Sequence, residues 1–325
     1  MPMQSISQLQ AVIQQAIAES RYPETPKELY EPIDYLMNLG GKRLRPVSVL
    51  MACNLFTDDV RKAIKPAMAI EVFHNFTLMH DDIMDNAPLR RGKATVQHKW
   101  SNNVAILSGD VMLVEAYKLI MQVDRSILPD VLQIFNDTAV GVCEGQQIDM
   151  NFETLNNVTE ADYLNMIRLK TAVLLGAALN IGALVGGASQ TDASLLYDFG
   201  INLGLAFQLH DDILDVYGDP EKFGKQVGGD ITSNKKTFML IKAKELASAE
   251  AGQQLMDWAD RSDSPQEKVT AITNIYDQLN VRLLAEQKMA VYAERALECL
   301  DKVDVAPDRK EMLYAFANGL LVREH

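Results

Sequence analysis

ASLLYDFGINLGLAFQLHDDIL, Ala193–Leu214, decides the fold. Its apolar residues recur at steps of three and four, the spacing of one face of an α-helix. The same period runs through Val104–Val123, Leu164–Leu184 and Val281–Leu300. Alternating strand patterns and Asn-Gly hairpin turns are missing. Breaks fall at Tyr22–Pro26, Asp219-Pro220 and Ala306-Pro307, and Thr159–Asp162 reads as a helix start with an acid in its first turn. No low-complexity linker divides the chain, and no short regular period marks a solenoid. The expectation is an all-α fold in one domain over residues 1–325, a bundle of about a dozen helices.

Bulk properties narrow the function. The chain has 325 residues, 48% of them hydrophobic, enough for a sizeable core. Its net charge of −13 argues against nucleic acid as the main partner and against attraction to anionic lipid. No stretch approaches the roughly 20 uninterrupted apolar residues of a membrane helix. MPMQSISQLQ lacks the basic start and apolar run of a signal peptide. Cys53, Cys143 and Cys299 are scattered and odd in number, so structural zinc and a disulfide framework are not expected, and a reducing cytoplasm is the natural location. Against the acidic background, basic residues gather at Gly40–Pro46 (GGKRLRP), Pro88–Lys93 (PLRRGK) and Ser233–Thr237 (SNKKT). Local positive charge on a negative protein points to an anionic ligand.

The end of the opening stretch has a near copy: HDDIMD, His80–Asp85, against HDDILD, His210–Asp215. On a helix, Asp81 and Asp85 share a face about 6 Å apart along the axis, with Asp82 beside them; Asp211, Asp212 and Asp215 repeat the set. Like charges so placed repel. The turn residues Asn86-Ala87-Pro88 and Gly218-Asp219-Pro220 put both sets at helix C-terminal ends, where the helix dipole disfavours carboxylates. A divalent cation would compensate both penalties. Hard oxygen donors without a His/Cys set suit magnesium, which binds through a few carboxylates and substrate phosphates. Apolar residues precede each hexapeptide, so a charged cage at the mouth of an apolar cavity is expected. The substrate it implies has an anionic head and a hydrocarbon tail.

GGKRLRP, DDIMDNAPLRRGK, GQQID, the pair Lys170-Thr171, and FQLHDDILDVYGDPEKFGKQVGGDI followed by NKKT stand in this order along the chain. Together they resemble the all-trans polyprenyl diphosphate synthases of the short-chain type, which make farnesyl and geranylgeranyl diphosphates. The resemblance implies the isoprenoid synthase fold and condensation of isopentenyl diphosphate with an allylic diphosphate. It further implies about three magnesium ions per site. Asp81 and Asp85 would bind two, with Asp82 supporting; Asp211 would bind the third, with Asp212 and Asp215 holding its waters. Arg90, Lys170, Lys225 and Lys235 would contact the allylic diphosphate. Gly41, Lys42, Arg45, His74 and Arg91 would hold isopentenyl diphosphate. Thr171 and Gln208 would flank the reacting carbons, backed by Gln146 and Asp149. A homodimer is also implied.

Product length would follow from the helix entering Asp81. Thr77 lies one turn below Asp81, Phe76 about 7.5 Å below and Phe73 about 12 Å below. One aromatic plug beside one small residue suggests a short product, geranylgeranyl more than farnesyl. Rival readings weigh less. A terpene cyclase needs no isopentenyl site and usually alters the second aspartate motif; a metal phosphohydrolase needs more histidines than five. A non-catalytic regulatory subunit could afford to lose charged residues that this chain keeps. Glu71–His74 matches the Glu-x-x-His of di-iron bundles, but one copy reads as accidental. His80 and His210 receive no role, Cys143 reads as core, and Arg323 is the one fixed cation near the C-terminus.

Overall fold

The computed structural model describes residues 5–219, 227–259, 261 and 263–321. These residues are α-helical almost throughout, with one two-stranded hairpin, Leu89–Arg90 against Lys93–Ala94. Two compact units divide the chain. The first takes the residues up to 138 with 174–197 and 302–313, and the second takes 139–173, 198–301 and the residues from 314.

In the first unit the order is α1 (Ile6–Glu19), α2 (Lys27–Met37), α3 (Leu44–Phe56), a 3₁₀ turn, α4 (Ile64–Met84), the hairpin, α5 (Val96–Lys99) and α6 (Asn102–Ile120). α1 starts on a capping box in which Ser5 and Gln8 satisfy each other's backbone N–H groups. It buries Leu9, Ile13 and Ile17, one residue per turn along one face. α3 and α4 are buried over most of their surface, and α4 packs on α6, α3, α1 and α2. Glycines permit two close approaches. A side chain on Gly182 would strike the Val49 carbonyl of α3 at 2.2 Å, and one on Gly109 of α6 would strike the His80 ring at 2.3 Å.

α7 (Leu128–Phe152), α9 (Val173–Gly186) and α10 (Gln190–Tyr217) each include a unit boundary. α8 (Glu160–Ile167) belongs to the second unit and opens on a Thr159–Asp162 capping box, as its sequence suggests. The period over Leu164–Leu184 is one helix in sequence but not in structure: Arg168–Ala172 forms a π-helical turn between α8 and α9. Helices Gly229–Thr232, Phe238–Leu246, Ala249–Ala259, Pro265–Gln278 and Val281–Asp301 follow in this unit, which also takes the end of the helix Pro307–Leu321. Its core gathers Tyr163, Met166, Leu209, Ile213, Phe238 and Tyr276.

Two helices bear on sequence expectations. The span Glu160–Gly186 is long and apolar enough to cross a membrane by length and composition, yet 72% of its most apolar window is buried inside the protein. A helix apolar on all sides belongs in a core as readily as in a bilayer. Cys143 is exposed rather than core; burial of part of its environment and the neighbouring Glu144 push its thiol up, away from the reactive thiolate.

Candidate active site

The first aspartate set ends α4, whose C-cap is Asp85. Beyond it Asn86 turns left-handed, and the Ala87 N–H returns to the Asp82 carbonyl at 2.9 Å. Gln97 locks this exit, donating its side-chain amide to the Asp82 and Ala87 carbonyls at 2.7 and 2.9 Å. The hairpin follows, with Arg91 and Gly92 both at positive φ, the pair of conformations a type I′ turn requires. This fold-back sets Arg90 on Asp82: Nε donates to both carboxylate oxygens at 2.9 and 2.8 Å, and Nη2 to one at 2.6 Å. Nη2 also reaches Asp81 at 3.5 Å. Asp82 is 2% exposed; burial pushes its carboxyl up, and Arg90 pulls it back down. Asp81 is partly buried and Asp85 exposed.

Arg91, next in the hairpin, donates to the Gly40 carbonyl, and its guanidinium packs on Gly41 so closely that a side chain there would sit 2.7 Å away. Lys42, Arg43, Arg45, His74, Glu71 and Arg91 line a cavity of about 110 Å³ in this unit. Arg45 donates to His74 Nε2 at 3.2 Å, which makes the ring neutral with its proton on Nδ1. Burial, followed by Arg45, Arg91, Arg90 and Arg43, holds the His74 pKa well below the usual histidine value. Glu71 accepts from both Arg43 and Asn75 through Oε1.

Deeper along α4, Phe76 and Phe73 are buried and stack at 5.6 Å between ring centroids. Phe73 meets Phe135 of α7 at 5.3 Å, and Phe135 meets Tyr117 at 5.1 Å. Thr77 turns its hydroxyl back to the His74 carbonyl at 2.8 Å. Phe76 and Phe73 thus belong to a chain of packed aromatic rings. The sequence shows its α4 members but not Phe135 or Tyr117, which lie far along the chain.

In the second unit, Asp212 is 3% exposed and receives neutral donors: the Tyr163 hydroxyl at 2.5 Å, the Phe238 N–H at 3.2 Å and the Gln208 amide at 3.4 Å. Burial pushes its carboxyl up to about 7. Asp215 accepts the Asp230 N–H at 3.0 Å, and Lys235 lies 3.9 Å from the Asp230 carboxylate. Asp211 is partly buried. The π-helical turn carries Lys170 and Thr171. Lys170 Nζ donates to Asp149 at 2.6 Å, and the Thr171 hydroxyl is 3.5 Å from the Gln208 carbonyl oxygen. Gly145 makes room for this turn, since any side chain there would meet the Lys170 backbone at 2.3 Å. Gln146 lies partly buried beside it. Lys225 and Arg323 lie outside the described residues.

The predicted residues therefore assemble into two half-sets, one per unit. Sequence reasoning missed Arg43, Glu71, Gln97 and Tyr163. Of these only Glu71 had a signal, in the Glu-x-x-His pattern. Among the described residues no three carboxylate, histidine or cysteine side chains converge into a metal cage. Carboxylates offered in ones and twos at helix ends are the donor set magnesium uses, with water and phosphate oxygens completing its shell.

The polyprenyl synthetase family profile matches residues 26–276. The chain belongs to this family. It is 37% identical over 310 residues to a short chain isoprenyl diphosphate synthase of Methanothermobacter thermautotrophicus, covering 95% of this chain and 94% of the other. It is also 37% identical to a geranylgeranyl pyrophosphate synthase of Geoglobus acetivorans, over 97% of both chains. A crystal structure of a geranylgeranyl pyrophosphate synthase superposes with a TM-score of 0.94 at 41% identity, over 99% of this chain and 100% of that one. The all-α fold is the isoprenoid synthase fold, and the chain is a trans-prenyltransferase.

Proposed function

We propose that the enzyme condenses isopentenyl diphosphate head-to-tail with an allylic diphosphate, depends on magnesium, and releases mainly geranylgeranyl diphosphate. The observation that carries this reading is the cationic cavity of Lys42, Arg45 and Arg91 in the unit that also carries an aspartate-rich helix end. A cyclase has no second diphosphate to put in such a niche. The whole chain then acts as one catalytic domain, and activity requires both aspartate sets.

Asp81 and Asp85 would hold two magnesium ions and Asp211 a third, with Asp82, Asp212 and Asp215 fixing the helix ends and bound waters. Bound magnesium neutralises the diphosphate so that it can leave. Arg90, Lys170, Lys225 and Lys235 would share that task as cations. The allylic C–O bond breaks, leaving a carbocation. The Thr171 hydroxyl and the Gln208 carbonyl direct their dipoles at it; their 3.5 Å approach supports a shared role. The double bond of isopentenyl diphosphate, oriented by Gly41, Lys42, Arg45, His74 and Arg91, attacks the cation to form the new C–C bond. A proton is lost, with the released diphosphate as base, so no protein base is required.

Phe76, backed by Phe73, closes the hydrocarbon end, and small Thr77 leaves room above it. The names of the relatives support a geranylgeranyl product. A homodimer is supported by Leu107 and Val114 of α6 and Met121 at its C-cap, apolar residues with 58%, 58% and 56% of their surface open. The absence of a disulfide among the described residues fits a cytoplasmic location. The test is incubation with magnesium, isopentenyl diphosphate and each allylic primer, followed by chain-length analysis. Geranylgeranyl diphosphate is expected, shifting to longer products in Phe76→Ala. A cyclic hydrocarbon, or no elongation, would refute the reading.

A further inference from the structure

Glu71 and His74 lie one turn apart on the same face of α4. Each engages one arginine at the start of α3. Glu71 pairs with Arg43 through Nη1, and His74 accepts from Arg45 at 3.2 Å. The Glu-x-x-His pattern therefore braces two packed helices. Glu71 is 2% exposed and Arg43 6%. The other amino group of Arg43 donates to the Met37 carbonyl, and Asn75 donates to Glu71 at 2.8 Å.

Arg43 is the N-cap of α3, sits at φ 50 and has no side-chain cap bond of its own. It follows Gly40 and Gly41, at φ 83 and 121. A left-handed non-glycine residue needs support from outside its own turn. Glu71 and the Met37 carbonyl supply it. The same turn carries Lys42, and Arg91 rests on Gly41 and Gly40. Glu71 also cancels the charge of Arg43, which would otherwise repel Arg45 and Arg91 across the cavity.

We propose that Glu71 is a positioning residue for isopentenyl diphosphate: it anchors Arg43, and through it the Gly40–Arg43 turn that brings Lys42 and Arg91 to the cavity. Glu71 itself makes no contact with the diphosphate. The inference rests on the reading that this cavity takes the isopentenyl diphosphate. Without the carboxylate, Arg43 keeps a buried charge with no counter-ion, and its nearest relief is the cavity itself.

Steady-state kinetics with both substrates varied tests this in Glu71→Gln, Glu71→Asp and Lys42→Ala. Glu71→Gln should raise KM for isopentenyl diphosphate about tenfold and leave KM for the allylic primer within about twofold. Glu71→Asp, which keeps the charge, should recover most of the loss. If Glu71→Gln folds poorly, Arg43→Gln/Glu71→Gln removes both buried charges. It should fold and still show a raised KM for isopentenyl diphosphate. A value within about twofold of wild type in either Gln variant overturns the inference, as does an equal rise in both KM values. Lys42→Ala separates the two readings. If it raises KM for isopentenyl diphosphate while the Gln variants do not, only the role of Glu71 fails. If it too leaves that KM unchanged, the assignment of the cavity fails.

Discussion

HDDIMD and HDDILD differ in one letter, Met84 against Leu214, yet their middle aspartates are held by different means. Asp82 is clasped by the Arg90 guanidinium, whereas Asp212 accepts only neutral donors, the Tyr163 hydroxyl, the Phe238 N–H and the Gln208 amide. In both hexapeptides the middle carboxylate is the most buried of the three, and the outer two are more open. The difference teaches a division of labour. Under the proposed function the outer aspartates would meet the ligand, while the middle one ties the helix end to its surroundings. The means of tying is free to vary, because any donor set of the right shape satisfies a buried carboxylate.

The largest expected effect lies with the outer residues, where the two regions should behave alike. Asp81→Ala and Asp211→Ala should each lower kcat by about 10³-fold in saturating magnesium, with the fold intact by circular dichroism. A loss from only one of them would break the symmetry. The middle residues should behave differently. Asp82→Ala strands a half-buried arginine and should destabilise the protein by about 3 kcal/mol in urea unfolding. Asp212→Ala leaves only neutral donors unpaired and should cost about 2 kcal/mol. Tyr163→Phe removes one of those donors and should cost about 1 kcal/mol.

The smallest expected effect is the share of the pH dependence that His74 contributes in the first unit. His74 stays neutral when folded, its pKa held down by burial and the surrounding arginines. Unfolded, it takes up a proton near pH 6.5. Its neutral state therefore supports folding above that pH, and this support is lost as the pH falls below about 6.5. In His74→Gln the drop in stability between about pH 7 and 5.5 should be shallower by about 1 kcal/mol, read from unfolding curves at each pH. An unchanged slope would show that His74 protonates normally.

Helix periodicity made the architecture legible because it reports burial directly. The turn residues located the ends of α4 and α10, and the acidic words and basic clusters supplied the candidate site residues. Three things were not legible. The hairpin that carries Arg90 and Arg91 has no Asn-Gly signal; its type I′ turn is built on Arg91-Gly92, which an unaided reading takes for a basic loop. The π-helical turn at Lys170-Thr171 has a continuous helical period, and it is defined by the close packing that Gly145 permits. Glu71 was visible as a pattern, but its meaning depends on Arg43, distant in sequence and brought alongside by the packing of α3 on α4. Tyr163 carried no signal, since a hydroxyl buried against a carboxylate is a tertiary fact.

The proposed function makes magnesium-dependent binding of the allylic diphosphate depend on both aspartate sets. Calorimetric titration of a non-ionising allylic diphosphate analogue with magnesium tests it most directly, in Asp81→Ala, Asp211→Ala and the double variant. Each single change should weaken magnesium-dependent binding by about 100-fold or more, and the double variant should lose little beyond either single, as expected of groups that act together. Losses that simply add, or a single variant that binds the analogue normally, would mean separate sites and would contradict the account.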